Sequence, residues 1–477
     1  PLHIGPARRV TIQDAPGDWP QYRGDGHRLG AATLAAPATA SLLSHSPLGV
    51  PLPVPEGHGE NRWEWLDRPT PPTTAGGLAF YGTSEGRLRA VRIADGAEAW
   101  TAWMGGAIMT APAFHRGRLY VAAGDGWVTC LDAATGTEVW RWRAAPAERR
   151  MMLYSKLASS WPVISLLADE GTIYGIAGIF DAHGDIFFAL DAETGTVLHS
   201  RWQRDDATLL NYNTRKTRPG RLGYLALVGR DAPMDRYRGV AHLIDAATGL
   251  PPAPDAGTAT LLAMPDGSHQ DCIVVPDRVV MRGGSQVFDN PDIRRAKSGG
   301  FSGFLIGDGS NPPPKKLFDA YRILIPKSII APALDGKEIA LPSGLRTGDA
   351  IGLSLWTMET WLQAGPGSKD GLNPADARWA FPDAHVSAVV LAPDAVVAVI
   401  GIQEHVEQRW RYGMERPRFL AWRLIAYERG DGRERWSVNL PGEPILNGLA
   451  PAADGSWVLT LRDGSLVVVG NRTGSGP

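Results

Sequence analysis

The chain has 477 residues, with 48 Lys and Arg against 50 Asp and Glu, for a formal net charge of -2 at pH 7. That balance offers no basic face for a nucleic acid, and no apolar run of about 18 residues exists to span a membrane as a helix. Two cysteines, Cys130 and Cys272, are too few for a disulfide framework.

Pro1 in place of Met reads as a processed end, with any leader already removed. Residues 1–30 form a lead-in, and its stretch Arg8-Arg9-Val10-Thr11-Ile12-Gln13 is the expected outer strand. Residues 31–78, rich in Pro, Ala and Thr, read as a loop laid over one face and then the first inner strands. Residues 79–145 hold two regular units with similar strand openings at Gly86-Arg87-Leu88 and Gly117-Arg118-Leu119. After Trp142 the pattern is stretched by insertions at about 145–161, 205–221, 285–300, 310–350 and 403–418. The stretch 310–350 is Pro-rich and reads as loop. Residues 403–418 read as a charged hairpin tip or short helix.

One stretch repeats. Cys130-Leu131-Asp132-Ala133-Ala134-Thr135-Gly136-Thr137-Glu138-Val139-Trp140 looks like a strand end, a tight turn and a strand start. Asp132 suits the turn backbone and Gly136 suits a positive φ. Ala189–His199 keeps Asp191, Thr194 and Gly195. Ala426–Trp436 keeps Gly432 and the Trp, and Ala90–Trp100 does the same with Gly96. Leu243–Ala253 keeps Asp245, Thr248 and Gly249 without the Trp. The interval left between Ala253 and Trp436 leaves room for further units. One degenerate unit falls at Gly303–Gly309. Another is marked only by Ile351–Leu362 and Trp379, and a last one at Val468–Gly474 stops before its final strand. This predicts an all-β fold: an eight-bladed β-propeller of four-stranded antiparallel blades, closed by an N-terminal strand, with residues 1–477 as one domain and the blades over 31–470. An unfinished last blade needs such a strand, because an exposed edge invites aggregation. The chain carries 17 Trp. A small residue at the first repeat position and a large ring ten residues on would let most of them pin one blade to the next.

These residues resemble the PQQ-repeat family of propellers, whose repeat runs Ala-x-Asp-x-x-Thr-Gly-x-x-x-Trp. Asp18-Trp19-Pro20-Gln21-Tyr22-Arg23-Gly24 is similar to a lead-in found ahead of the blades in many bacterial members, and Val386–Gly470 resembles large uncharacterised ones. The resemblance implies a fold more than an activity, and it favours a periplasmic or extracellular protein. The family includes dehydrogenases that hold pyrroloquinoline quinone and calcium, commonly with adjacent cysteines at the cofactor. Cys130 and Cys272 stand far apart, so no quinone (PQQ) is expected here, and no full calcium-ligand set is present. The family also includes a propeller lipoprotein of outer-membrane assembly, a binding scaffold.

Candidate site residues sit on the insertions, where function usually lies. Tyr154, Lys156, Asn211, Arg215, Lys216 and Arg282 suit binding of an acidic glycan through its carboxylates. His183, Tyr212 and His269 could abstract a C5 proton in β-elimination. The bland reading of each is a solvated loop residue. Asp181-Ala182-His183-Gly184-Asp185 could contribute calcium ligands, but it reads first as a turn. Cys272 reads as a small buried residue. Gly124-Asp125-Gly126 and Gly307-Asp308-Gly309 read as hairpin turns. Two functions follow as expectations. The first is a binding or scaffold module for a partner protein or ligand. The alternative is a lyase or hydrolase on acidic glycans.

Overall fold

A computed structural model describes residues 1–6, 12–49, 69–153, 156–178, 184–203, 225–229, 242–249, 260–263, 271–275, 279–283, 300–305, 322–326, 330–342, 352–363, 373–381, 384–403 and 419–471. Their regular structure is almost entirely strand, with one short α-helix, Met358–Gln363. Among the described residues eight antiparallel sheets follow one another along the chain, with one extra hairpin, Arg150–Leu153 with Lys156–Ser159. The first sheet runs Thr73–Ala75, Leu78–Gly82, Arg87–Arg92, Glu98–Trp103 from inner to outer strand. The second runs Ala113–His115, Arg118–Ala122, Trp127–Asp132, Glu138–Arg143, and gains Leu2–Ile4 as a fifth strand on its outer edge. The third runs Val163–Asp169, Thr172–Ala177, Asp185–Asp191, Val197–Gln203. The fourth has three described strands in the order Ala226–Gly229, Thr260–Ala263, His242–Asp245, so its middle strand comes last in the chain.

The fifth sheet is Asp271–Val275, Val279–Gly283, Gly300–Leu305, Arg322–Pro326. The sixth is Ala333–Leu334, Glu338–Pro342, Leu353–Thr357, Trp379–Phe381. The seventh is His385–Leu391, Ala395–Gln403, Phe419–Glu428, Glu434–Leu440. The eighth joins Pro444–Pro451, Trp457–Leu461 and Leu466–Gly470 to Ser41–Ser46, which pairs antiparallel with Leu466–Gly470. The last unit does take its missing strand from the N-terminal region, but from residues 41–46. Residues 7–11, most of the stretch proposed for that role, lie outside the described residues. Residues 310–350 also differ from expectation. Arg322–Pro326, Ala333–Leu334 and Glu338–Pro342 are strands there, with Pro326 and Pro342 at strand ends and Pro332 between strands. The expected strand over 351–362 is a strand to Thr357, then a short helix, Met358–Gln363, capped by the Thr357 hydroxyl accepting from the Thr360 N–H at 3.0 Å.

The core lies between successive sheets rather than at one centre. Phe80, Leu88 and Ala90 of the first sheet pack with Phe114, Leu119 and Val121 of the second. Trp140, Trp142 and Val128 meet Phe188, Ile173 and Leu190. Val389 and Val396 of the seventh meet Ala340 and Leu355 of the sixth. The eighth sheet packs back on the first through Val458, Leu466 and Val468 against Ala79, Tyr81 and Val91. A strand caught between two such clusters is apolar on both faces: Ala395, Val397 and Val399 face one and Val396, Ala398 and Ile400 the other, so Ala395–Ile400 shows no polar alternation.

The recurring residues form one repeated joint. In the turn, the Asp132 carboxylate accepts from the Ala134 N–H at 3.0 Å, the Thr135 N–H at 2.9 Å and the Thr135 hydroxyl at 3.0 Å. Asp191 and Asp245 do the same for Thr194 and Thr248. The ring ten residues after each small residue then crosses to the next sheet. Trp100 donates its indole N–H to the Ala133 carbonyl at 3.0 Å, Trp140 to Ala192 at 3.2 Å and Trp379 to Arg429 at 3.1 Å. His199, in the same place, reaches the Ala246 carbonyl at 2.7 Å through Nε2. Trp379 is thus the ring of the sixth unit, the one fainter in sequence. Each ring lies flat on the turn glycine of the next unit. A Cβ on Gly136 would meet Trp100 at 2.5 Å, one on Gly195 would meet Trp140 at 2.6 Å, and one on Gly432 would meet Trp379 at 2.8 Å. The glycine is needed twice, for its positive φ (70° at Gly136, 73° at Gly195) and for the bare surface the ring covers. A β-bulge stands just before the ring in the first, second, third and seventh sheets and turns it toward the neighbour.

Truncating the Trp140 ring should therefore cost more than its area. We expect Trp140→Ala to destabilise by about 3–5 kcal/mol, and Trp140→Phe, which keeps a flat ring but loses the donor and part of the volume, by about 1–3 kcal/mol. Gly195→Ala should lower the urea midpoint although it adds a single methyl. Urea unfolding followed by circular dichroism checks all three, and an unchanged midpoint for Gly195→Ala would contradict the joint.

Candidate functional site

The lead-in becomes an axial plug. Trp19 exchanges backbone hydrogen bonds with Thr74 of the first sheet at 3.0 Å each way. The Pro20 carbonyl accepts from Phe114 of the second, and the Gln21 side chain makes two bonds to the backbone of Ala168 in the third. The Gly26 carbonyl accepts from Leu227 of the fourth, the Leu29 carbonyl from Leu334 of the sixth, and Gly30 and Ala32 bracket Leu391 of the seventh. All six of the partners named here stand on the innermost strand of their sheet. Ala168, Leu334 and Leu391 stand at or near its C-terminal end, so the plug closes the end of the molecule where those strands finish.

Two buried arginines hold it. Arg28 is fully buried and donates to the carbonyls of Leu225 at 2.9 Å, Tyr22 at 2.9 Å, Asp25 at 3.3 Å and Leu166 at 3.1 Å. Arg23 donates to the carbonyls of Arg28, Ala331, Leu29 and Pro332. Both have left-handed backbones, φ 58° at Arg23 and 63° at Arg28, a conformation ordinary residues avoid. The carbonyl contacts are what hold them there.

The opposite end receives the chain connections that carry the expected site. The strand ends at Leu153 and Lys156, Gly178 and Gly184, Gln203 and Leu225, and Ala263 and Asp271 bound the segments holding those residues, and strand direction sets these ends away from the plug. Tyr154, His183, Asn211, Tyr212, Arg215, Lys216 and His269 themselves lie outside the described residues, as do Asp181, residues 307–309 and residues 404–418. Lys156 is placed in the hairpin strand Lys156–Ser159 and Arg282 in Val279–Gly283, in both cases by backbone alone. Gly124-Asp125-Gly126 is a turn between two strands, as its spacing predicts, with Gly126 at φ 87°.

A second feature had no mark in the sequence reading. On the plug's face, a cleft of about 690 Å³ opens between the sixth and seventh sheets, lined by Ala32, Asp335, Lys337, Glu338, Thr357, Arg378, Leu391, Pro393 and Arg429. Arg429 is its structural centre. Its guanidinium donates to Glu338 at 2.6 Å, to Asp335 at 2.6 Å and to the carbonyls of Ala392 at 3.0 Å and Pro393 at 3.3 Å. The other Glu338 oxygen is 2.7 Å from Arg378. Burial opposes ionisation of Asp335, but the N–H groups of Glu338 and Lys337 and the Arg429 guanidinium outweigh it and hold the carboxyl below its ordinary value. The Asp335-Gly336-Lys337 turn is the only sequence signal that could have pointed here, and it is an ordinary hairpin turn.

The residues do not fit the adjacent-cysteine pattern of a quinone site. Cys130 is fully buried in Trp127–Asp132, opposite Trp140 and Tyr120, where burial pushes its thiol up. Cys272 stands on another sheet. Among the described residues there is no group of three or more His, Cys, Asp or Glu that could hold a metal, and no helix long and apolar enough to cross a membrane.

Comparison with known proteins bears on the repeats. The sequence model of the family described as "Outer membrane protein assembly factor BamB" matches residues 41–176 and 84–249. The repeats between residues 41 and 249 are similar to those of that family. The quinohemoprotein alcohol dehydrogenase of Comamonas testosteroni is 14% identical over 97% of this chain and 82% of its own, with a TM-score of 0.52. One from Pseudomonas putida HK5 is 14% identical over 97% and 81%, with a TM-score of 0.56. A europium-containing methanol dehydrogenase is 13% identical over 96% and 99%, with a TM-score of 0.55. At such identities the likeness is one of fold. No curated protein matches.

Two outcomes follow for this β-propeller. Arg28→Met leaves buried carbonyls without donors, and should cost about 3 kcal/mol or more in chemical denaturation. Asp335→Asn should lower stability at pH 7 by about 1 kcal/mol, given its partial exposure. Because the Asp335 pKa is depressed on folding, its contribution is complete above the ordinary value of 3.8 and fades as pH falls through the folded value. The gap between the natural protein and Asp335→Asn should close in acid and stay open at neutral pH, as melting curves across pH would read.

Proposed function

We propose that this chain is a single eight-bladed propeller domain, its ring closed by Ser41–Ser46, that is exported and serves as a binding scaffold. Its partner is a protein held at the face opposite the plug. The observation that carries this reading is the asymmetry of the two ends. At one, the lead-in spends its arginines and backbone on the inner strands. At the other, the strand ends open into long connections rich in Tyr, His, Lys and Arg, which is where a propeller displays its recognition residues. The family description, an assembly factor, supports a partner-binding role and a compartment outside the cytoplasm. Quinone chemistry has no part in the proposal.

A photocrosslinking amino acid at Met152, exposed on the hairpin of the open face, tests it against the same probe at Glu193 on the plug's face. In native cells the Met152 probe should give one discrete cross-linked protein, weakened by Arg215→Ala with Lys216→Ala, and the Glu193 probe should give none. Equal cross-linking from both faces would overturn the choice of face. Release of unsaturated product from uronic-acid oligosaccharides, lost in His183→Ala or Tyr212→Phe, would replace the scaffold by a lyase.

A further inference from the structure

We infer that the cleft between the sixth and seventh sheets is a binding site for a small oxyanion, a carboxylate or a phosphate, gripped by Arg378 and Lys337. It lies on the plug's face and is independent of the proposed scaffold role.

The groups of the cleft differ in what each has left to give. Both carboxylates are already engaged. Asp335 accepts from Arg429 through Oδ2, and from the Lys337 and Glu338 N–H groups at 2.9 Å through Oδ1. Glu338 accepts from Arg429 through Oε2 and faces Arg378 through Oε1. A cation entering the cleft would have to break these contacts. All three nitrogens of Arg429 are engaged as well. Thr357 is turned to the helix it caps. Donors are what remain. Among the described residues Arg378 has one ion pair, with a side chain 40% exposed, and Lys337, which lines the cleft, has none.

Three cations against two anions leave the lining one positive charge in surplus. Glu338, only 11% exposed, sits between Arg429 and Arg378 and fixes where the Arg378 fork points. A guanidinium fork beside an ammonium suits a planar carboxylate or a phosphate. Ala32, Leu391 and Pro393 supply an apolar wall, so the ligand can carry a short hydrocarbon body. The volume, about 690 Å³, is in the range of small-molecule pockets.

Titration calorimetry of the full chain with succinate and with inorganic phosphate at low ionic strength tests the inference. We expect saturable one-to-one binding of at least one probe, weakened about tenfold or more by Arg378→Ala and several-fold by Lys337→Ala. Arg433→Ala removes an exposed arginine outside the cleft and should leave the affinity within about twofold. Succinate alone binding would identify a carboxylate ligand, and phosphate alone a phosphorylated one. No saturable heat from either probe, or binding unchanged in an Arg378→Ala variant with native circular dichroism, would overturn it. The cross-linking pattern at the open face does not depend on this site, so the two proposals fail separately.

Discussion

The structure depends on one joint: a ring from the outer strand of one sheet lying on a glycine of the next, with its N–H on a backbone carbonyl beside it. The joint explains the sequence pattern residue by residue. Asp132 ties the turn, Thr135 tightens it, Gly136 leaves room, and Trp100 of the preceding unit fills that room. Large rings bury much apolar area at small entropic cost, and the single directed bond sets their position. His199 shows what the joint requires, since imidazole keeps a flat face and a ring nitrogen for Ala246.

The joint is weakest where the chain meets itself. Ser44, on the strand Ser41–Ser46, stands against Gly96 where Gly136, Gly195, Gly249 and Gly432 have a ring, and its hydroxyl has no partner among the described residues. Other contacts hold that seam. The Tyr81 hydroxyl donates to the Gly464 carbonyl at 2.8 Å, Arg89 donates to Tyr81 at 2.6 Å, and Arg87 donates to the Leu48 carbonyl at 2.8 Å. Arg87 and Arg89 both pair with Glu98. A seam built from two chain ends uses polar bonds and an apolar cluster in place of an aromatic lid.

The plug gives the molecule two unlike ends. Strands pointing inward on several sides would leave a central channel, and the lead-in fills it from one end with residues bonded to six of the eight sheets. Carbonyl oxygens at strand ends are acceptors without partners, and two arginines meet many of them at once. That is why cations, rather than apolar residues, are buried there. The cleft at Arg429 applies the same economy to carboxylates, using Arg429 to cross-link two sheets and leaving Arg378 with donors to spare.

The sequence by itself determined the unit and the rule that repeats it. Cys130–Trp140 and its copies announce the turn and the ring, because each residue there acts within its own turn or on the next copy of that turn. It also raised the expectation of a strand from elsewhere in the last unit. Which strand was decided by tertiary structure: Ser41–Ser46 carries no turn motif, and only pairing with Leu466–Gly470 selects it. Residues 310–350 read as loop because their prolines hide short strands that exist through packing against neighbouring sheets. The roles of Arg23 and Arg28 were invisible for the same reason, since the carbonyls they satisfy belong to residues as far along as Pro332. The cleft of Asp335, Arg378 and Arg429 is likewise a product of two sheets meeting. A local pattern records contacts between near neighbours in the chain. A site made by residues dozens of positions apart leaves no such record.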